Sequence, residues 1–584
     1  MLQLIRDISR IFNSNERWRI ALLVAVMTMG AFAEAVGVGS LVPFIAMISD
    51  LGVIHQNRYL MRAYVLSGAE SEQQFMLYAC GLLIALFLLK NTFLALAQYF
   101  QNRFLFAKEA GLVTRLTQAY LYAPYTYHLN RNSADLVRIA TTEVSRVISG
   151  VVVPVFTLFA ESLTVGVLVA MIVAVEPWIG LGAVGALGLI ALGLQRKFKP
   201  MMVRYRDMRV IHQAAQTRWV SQALSGLKDV KILRRENYFV DRVKMASVKN
   251  SRATVVFTTL NGMPRLVLET FAVIAIVGYV VAVLLRNAPL GPILPTLALT
   301  AMVAVRVMPS ATRMMNAVNV IRFFRPGLSD VISSLDAAPQ SALRLAKQRY
   351  AGSSETDTHY FHELQVRDVW YRHPEMDAWI LQGVSCAVRR GELVAVVGHS
   401  GSGKSTLADL LLGLIVAQQG AVEVDGINVR ELGDRWLNTV GYVPQQACLL
   451  DDSVRHNVAF GIPPDQIDDD RVWHALEAAQ IADKVHSMPG ALDAPVGEAG
   501  CQLSGGERQR IAVARALYND PAILIFDEAT SALDPPTGRA LTATIRALAG
   551  EKTIIFITHH LHLIEGWTHV IRIEGGRVLA TAAG

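Results

Sequence analysis

Up to about residue 325 the chain alternates long apolar runs with long polar, basic stretches; beyond about residue 362 the apolar runs shorten and are spaced by amphipathic segments. A helix crossing a bilayer needs about 20 mostly apolar residues. Six runs meet that length, at roughly 20–48, 75–100, 147–175, 178–194, 255–285 and 290–323. An even number returns the chain to the side on which it began. A short polar segment, 49–74, separates the first two runs. The basic stretches 101–146 and 195–253 keep a helical pattern, as extensions of membrane helices into water would. In the last third, the short runs 394–397 and 523–526 predict strands of a buried parallel sheet, with helices between them. The expected architecture is an α-helical membrane domain of six transmembrane helices (1–325), a polar Ser/Asp/Ala-rich linker (326–362) and an α/β domain (363–584).

Composition agrees with a membrane chain. Hydrophobic residues make up 52% of the 584 and charged residues 18%, and the mean hydropathy is +0.35. Arg6, Arg10, Arg17 and Arg19 precede the first apolar run, which puts the N-terminus in the cytoplasm by the positive-inside rule. The formal net charge of +7 fits cytoplasmic flanks of membrane helices. Nucleic acid is not an expected partner, because no basic cluster is interleaved with stacking aromatics. Cys80, Cys386, Cys448 and Cys501 have neither metal-ligand nor disulfide-framework spacing. The first apolar run is too long for a cleavable leader and lacks a small-residue cleavage pattern.

The chemistry sits in the α/β domain. Residues 398–406 read Gly-His-Ser-Gly-Ser-Gly-Lys-Ser-Thr, a complete phosphate-binding loop. The backbone N–H groups of Gly398, Ser400, Gly401, Ser402 and Gly403 are placed to turn toward phosphate oxygens. Lys404 reaches the β- and γ-phosphates, Ser405 ligates Mg²⁺, and Thr406 follows on the helix. Further on, Leu503-Ser504-Gly505-Gly506-Glu507 forms a turn into a helix, whose exposed N–H groups favour an anion. The run 523–526 ends in Asp527, a candidate Mg²⁺ ligand, and Glu528, a candidate general base for an attacking water.

These motifs, in this order and beside an apolar N-terminal half, resemble the ATP-binding cassette (ABC) transporters. The resemblance implies ATP and Mg²⁺ as cofactors. It makes Gln445 of Tyr442-Val443-Pro444-Gln445 the Q-loop sensor of γ-phosphate and metal, and His559 the switch histidine. Ser531-Ala532-Leu533-Asp534 resembles the D-loop, with Asp534 facing a second subunit, and Val496-Gly497-Glu498 resembles the exporter X-loop. The segments 125–137 and 224–236, near the cytoplasmic turning points, take the place of coupling helices. Where the family stacks an aromatic ring on adenine this chain has Tyr371 and His373, and either ring suits the role. One phosphate loop and one signature turn imply a half-transporter that works as a homodimer with two composite ATP sites.

Cargo is a separate matter. Ionisable residues inside apolar spans tend to face a cavity or a partner. Lys90, Arg265, Arg306 and Arg313 lie within the spans, and the last two share a helix face two turns apart. Structural pairing with Glu34, Glu161 and Glu269, or snorkelling to the membrane ends, is the plain alternative. The functional reading is a basic belt for an anionic headgroup. The segments 34–50, 264–269 and 306–313, with the external stretch 52–68, resemble the bacterial lipid-linked oligosaccharide flippases of protein N-glycosylation. That resemblance implies a polyprenyl-pyrophosphate-linked glycan moved from the cytoplasmic to the outer leaflet of a bacterial inner membrane. A lipid A-type or multidrug exporter is the alternative. A channel is disfavoured by the intact Glu528, and a merely anchored ATPase by six spans with interior charges.

Overall fold

The computed structural model describes residues 2–12, 16–49, 51–129, 131–175, 177–285, 294–337, 361–373, 376–497, 500–530, 535–560, 563–564, 567 and 569–583. The chain divides into two compact units, Met1–Ala123 with Arg131–Leu343, and Pro124–Asn130 with Arg344–Gly584.

The first unit is helical. It comprises α1 (Leu2–Ile11), α2 (Arg17–Gly39), α3 (Leu41–Ser49), α4 (Val53–Gln56), α5 (Arg58–Ser67) and the 50-residue α6 (Glu72–Leu121). The five-residue α7 (Tyr125–Leu129), inside the first expected coupling segment, groups with the second unit. Next come α8 (Ser133–Arg138), α9 (Val144–Val147) and α10 (Val153–Val175), joined by π-helical turns at Ile139–Glu143 and Ile148–Val152. The unit ends with α11 (Pro177–Ser225), α12 (Leu227–Ile232), α13 (Glu236–Leu285) and α14 (Leu294–Ala337). Local signals set several boundaries. Ser71 accepts from the Gln74 N–H at 3.2 Å and caps α6, while the Asn57 side chain caps α5.

Among the described residues, three stretches are long and apolar enough to cross a membrane: Arg17–Ile48, Glu72–Leu121 and Ser133–Ala174. They contain the first two expected spans and all but the last residue of the third. The expected spans 178–194, 255–285 and 290–323 fall on α11, α13 and α14, where many side chains lie outside the described residues. The helix α14 continues through Pro326 to Ala337, into the stretch read from sequence as linker; residues 338–360 lie outside the description. Three helices, α2, α10 and α14, close around Val38, Leu168, Ile172, Val303 and Val307. This apolar contact fixes the helix faces that carry the intramembrane charges, since Glu34 is one turn from Val38 and Arg306 adjoins Val307.

The second unit holds two sheets. The antiparallel one has the order β2-β1-β4-β5, from β1 (Glu363–Tyr371), β2 (Leu381–Arg389), β4 (Gln419–Val424) and β5 (Ile427–Asn428). The other has the order β10-β9-β3-β8-β7-β6, from β3 (Leu393–Val397), β6 (Val440–Val443), β7 (Ile523–Asp527), β8 (Thr553–Thr558), β9 (His569–Glu574) and β10 (Arg577–Ala583). Within it β9, β3, β8, β7 and β6 run parallel. Both faces are covered, one by the cluster around Leu524, Phe526 and Phe556, the other by that around Ile523, Ile525 and Ile555. Every residue of β3, β7 and β8 is buried, which is why these strands read as unbroken apolar runs. Each buried Ile or Phe there contributes about 2 kcal/mol. The rigid sheet presents the C-terminal ends of β3, β7 and β8 side by side, the edge at which parallel sheets bind ligands.

Candidate functional site

The phosphate loop follows β3 and turns into the helix Lys404–Leu411. Gly403 has φ +100°, and a Cβ on it would meet Leu381 Cδ2 at 2.7 Å, so only glycine fits. The buried Lys404 ammonium donates to the carbonyls of Gly398 and His399, both at 3.0 Å. These bonds curl the loop around the ammonium and fix it beside the loop N–H groups. The Ser405 hydroxyl donates to Asp527 Oδ1 at 3.3 Å.

Glu528 follows β7 with φ +48°, a left-handed backbone rarely adopted by a residue with a Cβ. Its N–H is tied to the Ile557 carbonyl at 2.9 Å. Three groups converge on its carboxylate: Gln445 Nε2 donates at 2.9 Å, His559 Nδ1 lies at 3.3 Å and Lys404 Nζ at 3.5 Å. Four sequence-predicted residues, from the ends of β3, β6, β7 and β8, therefore meet at one carboxylate. Such backbone strain, held by the sheet, is typical of a site where a side chain must be aimed.

A polar group missed by the sequence reading stands behind them. Asp409, one helical turn beyond Ser405, has its carboxyl pushed up to about 6, first by burial and then by the nearby Asp527. Asp527 is also raised, by burial first, although the Ser405 hydrogen bond works against this. Tyr442 hydrogen-bonds Asp527, and its hydroxyl is held protonated by burial and by the two carboxylates. Tyr125 of α7 is raised by burial and by Asp409. The signal for Asp409 was its i+4 spacing from Ser405 on one helix face. Ser405 and Asp527, hydrogen-bonded to each other, are hard-oxygen donors, and the nearby Asp409 carboxylate repels that of Asp527. That arrangement fits Mg²⁺, whose charge would relieve the repulsion.

The signature turn opens the helix Gly505–Leu517 with a full capping box. Ser504 Oγ accepts from the Glu507 N–H at 3.3 Å, and Glu507 accepts from the Ser504 N–H at 2.7 Å. Burial raises the Glu507 carboxyl, but the Ser504 bonds and Lys484 outweigh it and hold the group low. Gln509, one turn on, donates to the Pro444 carbonyl at 3.0 Å and so ties this helix to the Q-loop. Of the two adenine-stacking candidates, Tyr371 is 3% exposed within the core of β1, whereas His373 is half-buried. The Tyr371 hydroxyl lies 3.4 Å from His373 Nδ1, with the rings edge-on. Tyr371 thus braces the more accessible His373. Asp534 and Glu498 lie outside the described residues.

In the membrane unit the predicted cations separate into distinct settings. Lys90 on α6 and Arg306 on α14 both bind Glu34 on α2, Lys90 at 3.3 Å. Arg313, two turns further along α14, grips Glu161 of α10 through Nε at 2.5 Å and Nη2 at 3.2 Å, and reaches the Ser310 hydroxyl at 3.4 Å. Arg265 and Glu269 are exposed on α13 and join neither group. Toward the N-terminal end of α6, an apolar cavity of about 410 Å³ is lined by Phe44, Met47, Leu60, Phe75, Leu82 and Leu86, from α3, α5 and α6.

The family model described as ABC transporter matches residues 381–531, and that described as ABC transporter transmembrane region matches residues 21–314. An ATP-dependent lipid A-core flippase of Aromatoleum aromaticum is 30% identical over 497 residues, 83% of this chain and 79% of that protein. The protein of the same name from Pseudomonas aeruginosa is 28% identical over 520 residues, 86% of this chain and 82% of its own length. A bacterial Atm1-family ABC exporter with ATP bound superposes with a TM-score of 0.74 over 98% of this chain and 96% of that one, at 21% identity, a likeness of fold. The Aromatoleum aromaticum and Pseudomonas aeruginosa relatives carry the name of the alternative cargo and not that of the lipid-linked oligosaccharides expected from the membrane segments.

Proposed function

Because the chain belongs to the ABC transporters, with the family's transmembrane region and ATPase domain in one polypeptide, we propose that it flips a phosphate-bearing glycolipid of the lipid A-core kind across a bacterial inner membrane. It is an ATP-hydrolysing transporter of exporter type. The cargo reading is carried by one observation: Lys90 on α6 and the partly exposed Arg306 on α14 share a single buried carboxylate, Glu34, in the membrane unit, leaving one positive charge in excess. A phosphate headgroup answers that charge, and the apolar cavity along α6 is compatible with acyl chains. The names of the relatives favour lipid A-core. A polyprenyl-pyrophosphate-linked glycan has the same headgroup chemistry and is the second reading, favoured by the membrane segments 34–50, 264–269 and 306–313.

The ATPase chemistry follows from the convergence on Glu528. Its carboxylate, aimed by the strained backbone and by Gln445 and His559, accepts the proton of the water that attacks the γ-phosphate. Lys404 and the loop N–H groups hold the β- and γ-phosphates, and His559 orients the γ-phosphate. Ser405, Asp527 and Gln445 would hold Mg²⁺, which neutralises phosphate charge when bound. His373, braced by Tyr371, stacks on adenine. Two copies of the chain supply each other's signature turn, Ser504 to Glu507, and Asp534, so that a homodimer carries two composite sites. Closure of the paired ATPase units on ATP, and their separation after hydrolysis, moves the membrane helices.

The test is ATP-dependent transfer between leaflets of proteoliposomes, with Glu528→Gln as control. Lipid A-core is offered in one arm and an undecaprenyl-pyrophosphate glycan in the other. Transfer of lipid A-core that stops in the control supports the reading. Transfer of the undecaprenyl lipid alone moves the assignment to the second reading, and hydrolysis with transfer of neither overturns both.

A further inference from the structure

We infer that Glu34 is a built-in counter-ion that the anionic headgroup of the cargo displaces from Arg306; the inference rests on the lipid-flippase reading and names what selects the cargo at that site. Glu34 is 3% exposed on α2. A buried carboxylate is tolerated only with partners, and it has two, Lys90 and Arg306. The neighbourhood is built for this contact. A Cβ at Gly37, one turn along the same face, would press on Lys90 Cδ at 3.0 Å and Nζ at 3.2 Å. The Lys90 ammonium lies 4.5 Å from the centre of the Phe87 ring, which holds it in place from another side.

The two arginines of α14 differ in one respect that matters. Arg313 meets Glu161 through both Nε and Nη2 and is closed. Arg306 meets Glu34 through Nη2 alone, its Nε is buried with no hydrogen-bond partner, and its side chain remains 37% exposed. A guanidinium binds phosphate through two adjacent N–H groups. At Arg306 that pair is Nε with Nη2, of which Glu34 holds one and leaves the other unmet. A phosphate oxygen pair satisfies both, so Glu34 and the headgroup compete for the same donors. Lys90 stays with Glu34 when Arg306 leaves it, and this keeps the carboxylate from being stranded. Lipids without phosphate gain nothing by displacing Glu34, and a zwitterionic phospholipid offers a phosphodiester of single charge beside its own ammonium, so the exchange favours phosphomonoester and pyrophosphate headgroups.

The experiment uses the full-length protein in phosphatidylcholine nanodiscs and reads ATP hydrolysis against added lipid. The probes are lipid A, its monophosphoryl form, undecaprenyl pyrophosphate and a neutral diglucosyl lipid. In the wild type, stimulation by lipid A exceeds that by monophosphoryl lipid A, and the neutral lipid gives none. Glu34→Gln removes the competitor, so the half-saturating concentration of the phosphate lipid falls about tenfold while leaflet-to-leaflet transfer slows, because release is slowed too. Glu34→Gln combined with Lys90→Met leaves only the partly exposed Arg306 charged and spares Lys90 from being stranded without its carboxylate. It keeps the tighter half-saturation and guards against a folding defect of the single variant. Glu161→Gln shifts the half-saturation less than twofold. If the wild type responds to a phosphate lipid and both Glu34 variants keep its half-saturation, Glu34 is structural and this inference alone falls. An equal shift in Glu161→Gln also overturns it. No response of the wild type to lipid A or undecaprenyl pyrophosphate overturns the flippase reading and this inference with it. Between the two phosphate lipids, the one that saturates at lower concentration identifies the source of the headgroup.

Discussion

Two charged regions of this chain are built on opposite plans. In the ATPase unit, Lys404, Gln445 and His559 converge on Glu528 from the ends of adjoining strands. In the membrane unit, cations and carboxylates are matched across helices far apart in sequence: Glu34 with Arg306, 272 residues away, and Glu161 with Arg313, 152 away. The first plan keeps reactive groups aimed at one point, and the sheet bears the strain of Glu528. In the second, the charges are quenched until something with a better claim arrives. A reaction common to a whole family calls for a fixed constellation. Selection of one cargo is served by a balance that a particular headgroup tips.

Glu528→Gln is the most severe way to break the first plan. It keeps the hydrogen bond from Gln445 in reach and removes the base. Turnover should fall by at least about 100-fold with nucleotide binding retained, as read by phosphate release beside equilibrium binding of a fluorescent ATP analogue. Normal hydrolysis in this variant would displace Glu528 from its assigned role. Arg306→Ala is the matching break in the second plan. It strips the phosphate fork and leaves Glu34 to Lys90. Glycolipid-stimulated hydrolysis should drop by about tenfold or more, the scale of losing a charged hydrogen-bond pair. An unchanged response would make the cluster a structural element only.

The same contrast explains what could be read from the sequence. The phosphate loop, the signature turn and the strand before Asp527 are local: glycine spacing, a capping box and an unbroken apolar run each have a short-range cause. The chemistry of the ATPase unit was therefore legible, and the predicted α/β domain and its buried strands 394–397 and 523–526 lie within β3 and β7. Asp409 escaped notice because its meaning depends on facing Asp527 across the helix–strand contact, more than a hundred residues away. Sequence placed Lys90, Arg306, Arg313, Glu34 and Glu161 in the membrane but had no means of pairing them, since helix packing decides which faces meet. The tie between Tyr371 and His373 likewise needed the register of β1, which buries one ring and leaves the other accessible.

A milder perturbation sharpens the electrostatics of the ATPase unit. Burial and the nearby Asp527 raise the folded Asp409 carboxyl from its ordinary 3.8 to about 6. The folded state thus holds this proton more tightly than the unfolded chain does. Its stability is greatest below about pH 4 and declines between about pH 4 and 6, levelling off once the half-buried carboxylate is ionised beside Asp527. Asp409→Asn removes this cost. Without nucleotide and Mg²⁺, it should stabilise the unit by about 1.5 kcal/mol at pH 7.5, allowing for partial exposure, and by about half that at pH 5. Thermal unfolding of both proteins at the two pH values gives the comparison, and adding Mg²⁺ with ATP should narrow the gap at pH 7.5. A gap independent of pH would mean that Asp409 acts through packing and not through its charge.

The smallest expected effect lies at Ser504, where structure and catalysis use the same atoms. Its hydroxyl accepts from the Glu507 N–H and starts the helix Gly505–Leu517, whose Gln509 holds the Q-loop carbonyl of Pro444. Ser504→Ala removes the cap and should cost about 1 kcal/mol, seen as a lower midpoint of thermal unfolding. Asn is as good an N-cap as Ser, so Ser504→Asn should restore the midpoint. Its amide is bulkier than a hydroxyl and projects from the turn at which the partner's γ-phosphate is proposed to sit. Hydrolysis that recovers with the midpoint would limit Ser504 to holding the helix. Hydrolysis that stays low in a protein of restored stability would separate phosphate binding from capping, and would add the signature turn to the catalytic groups gathered around Glu528.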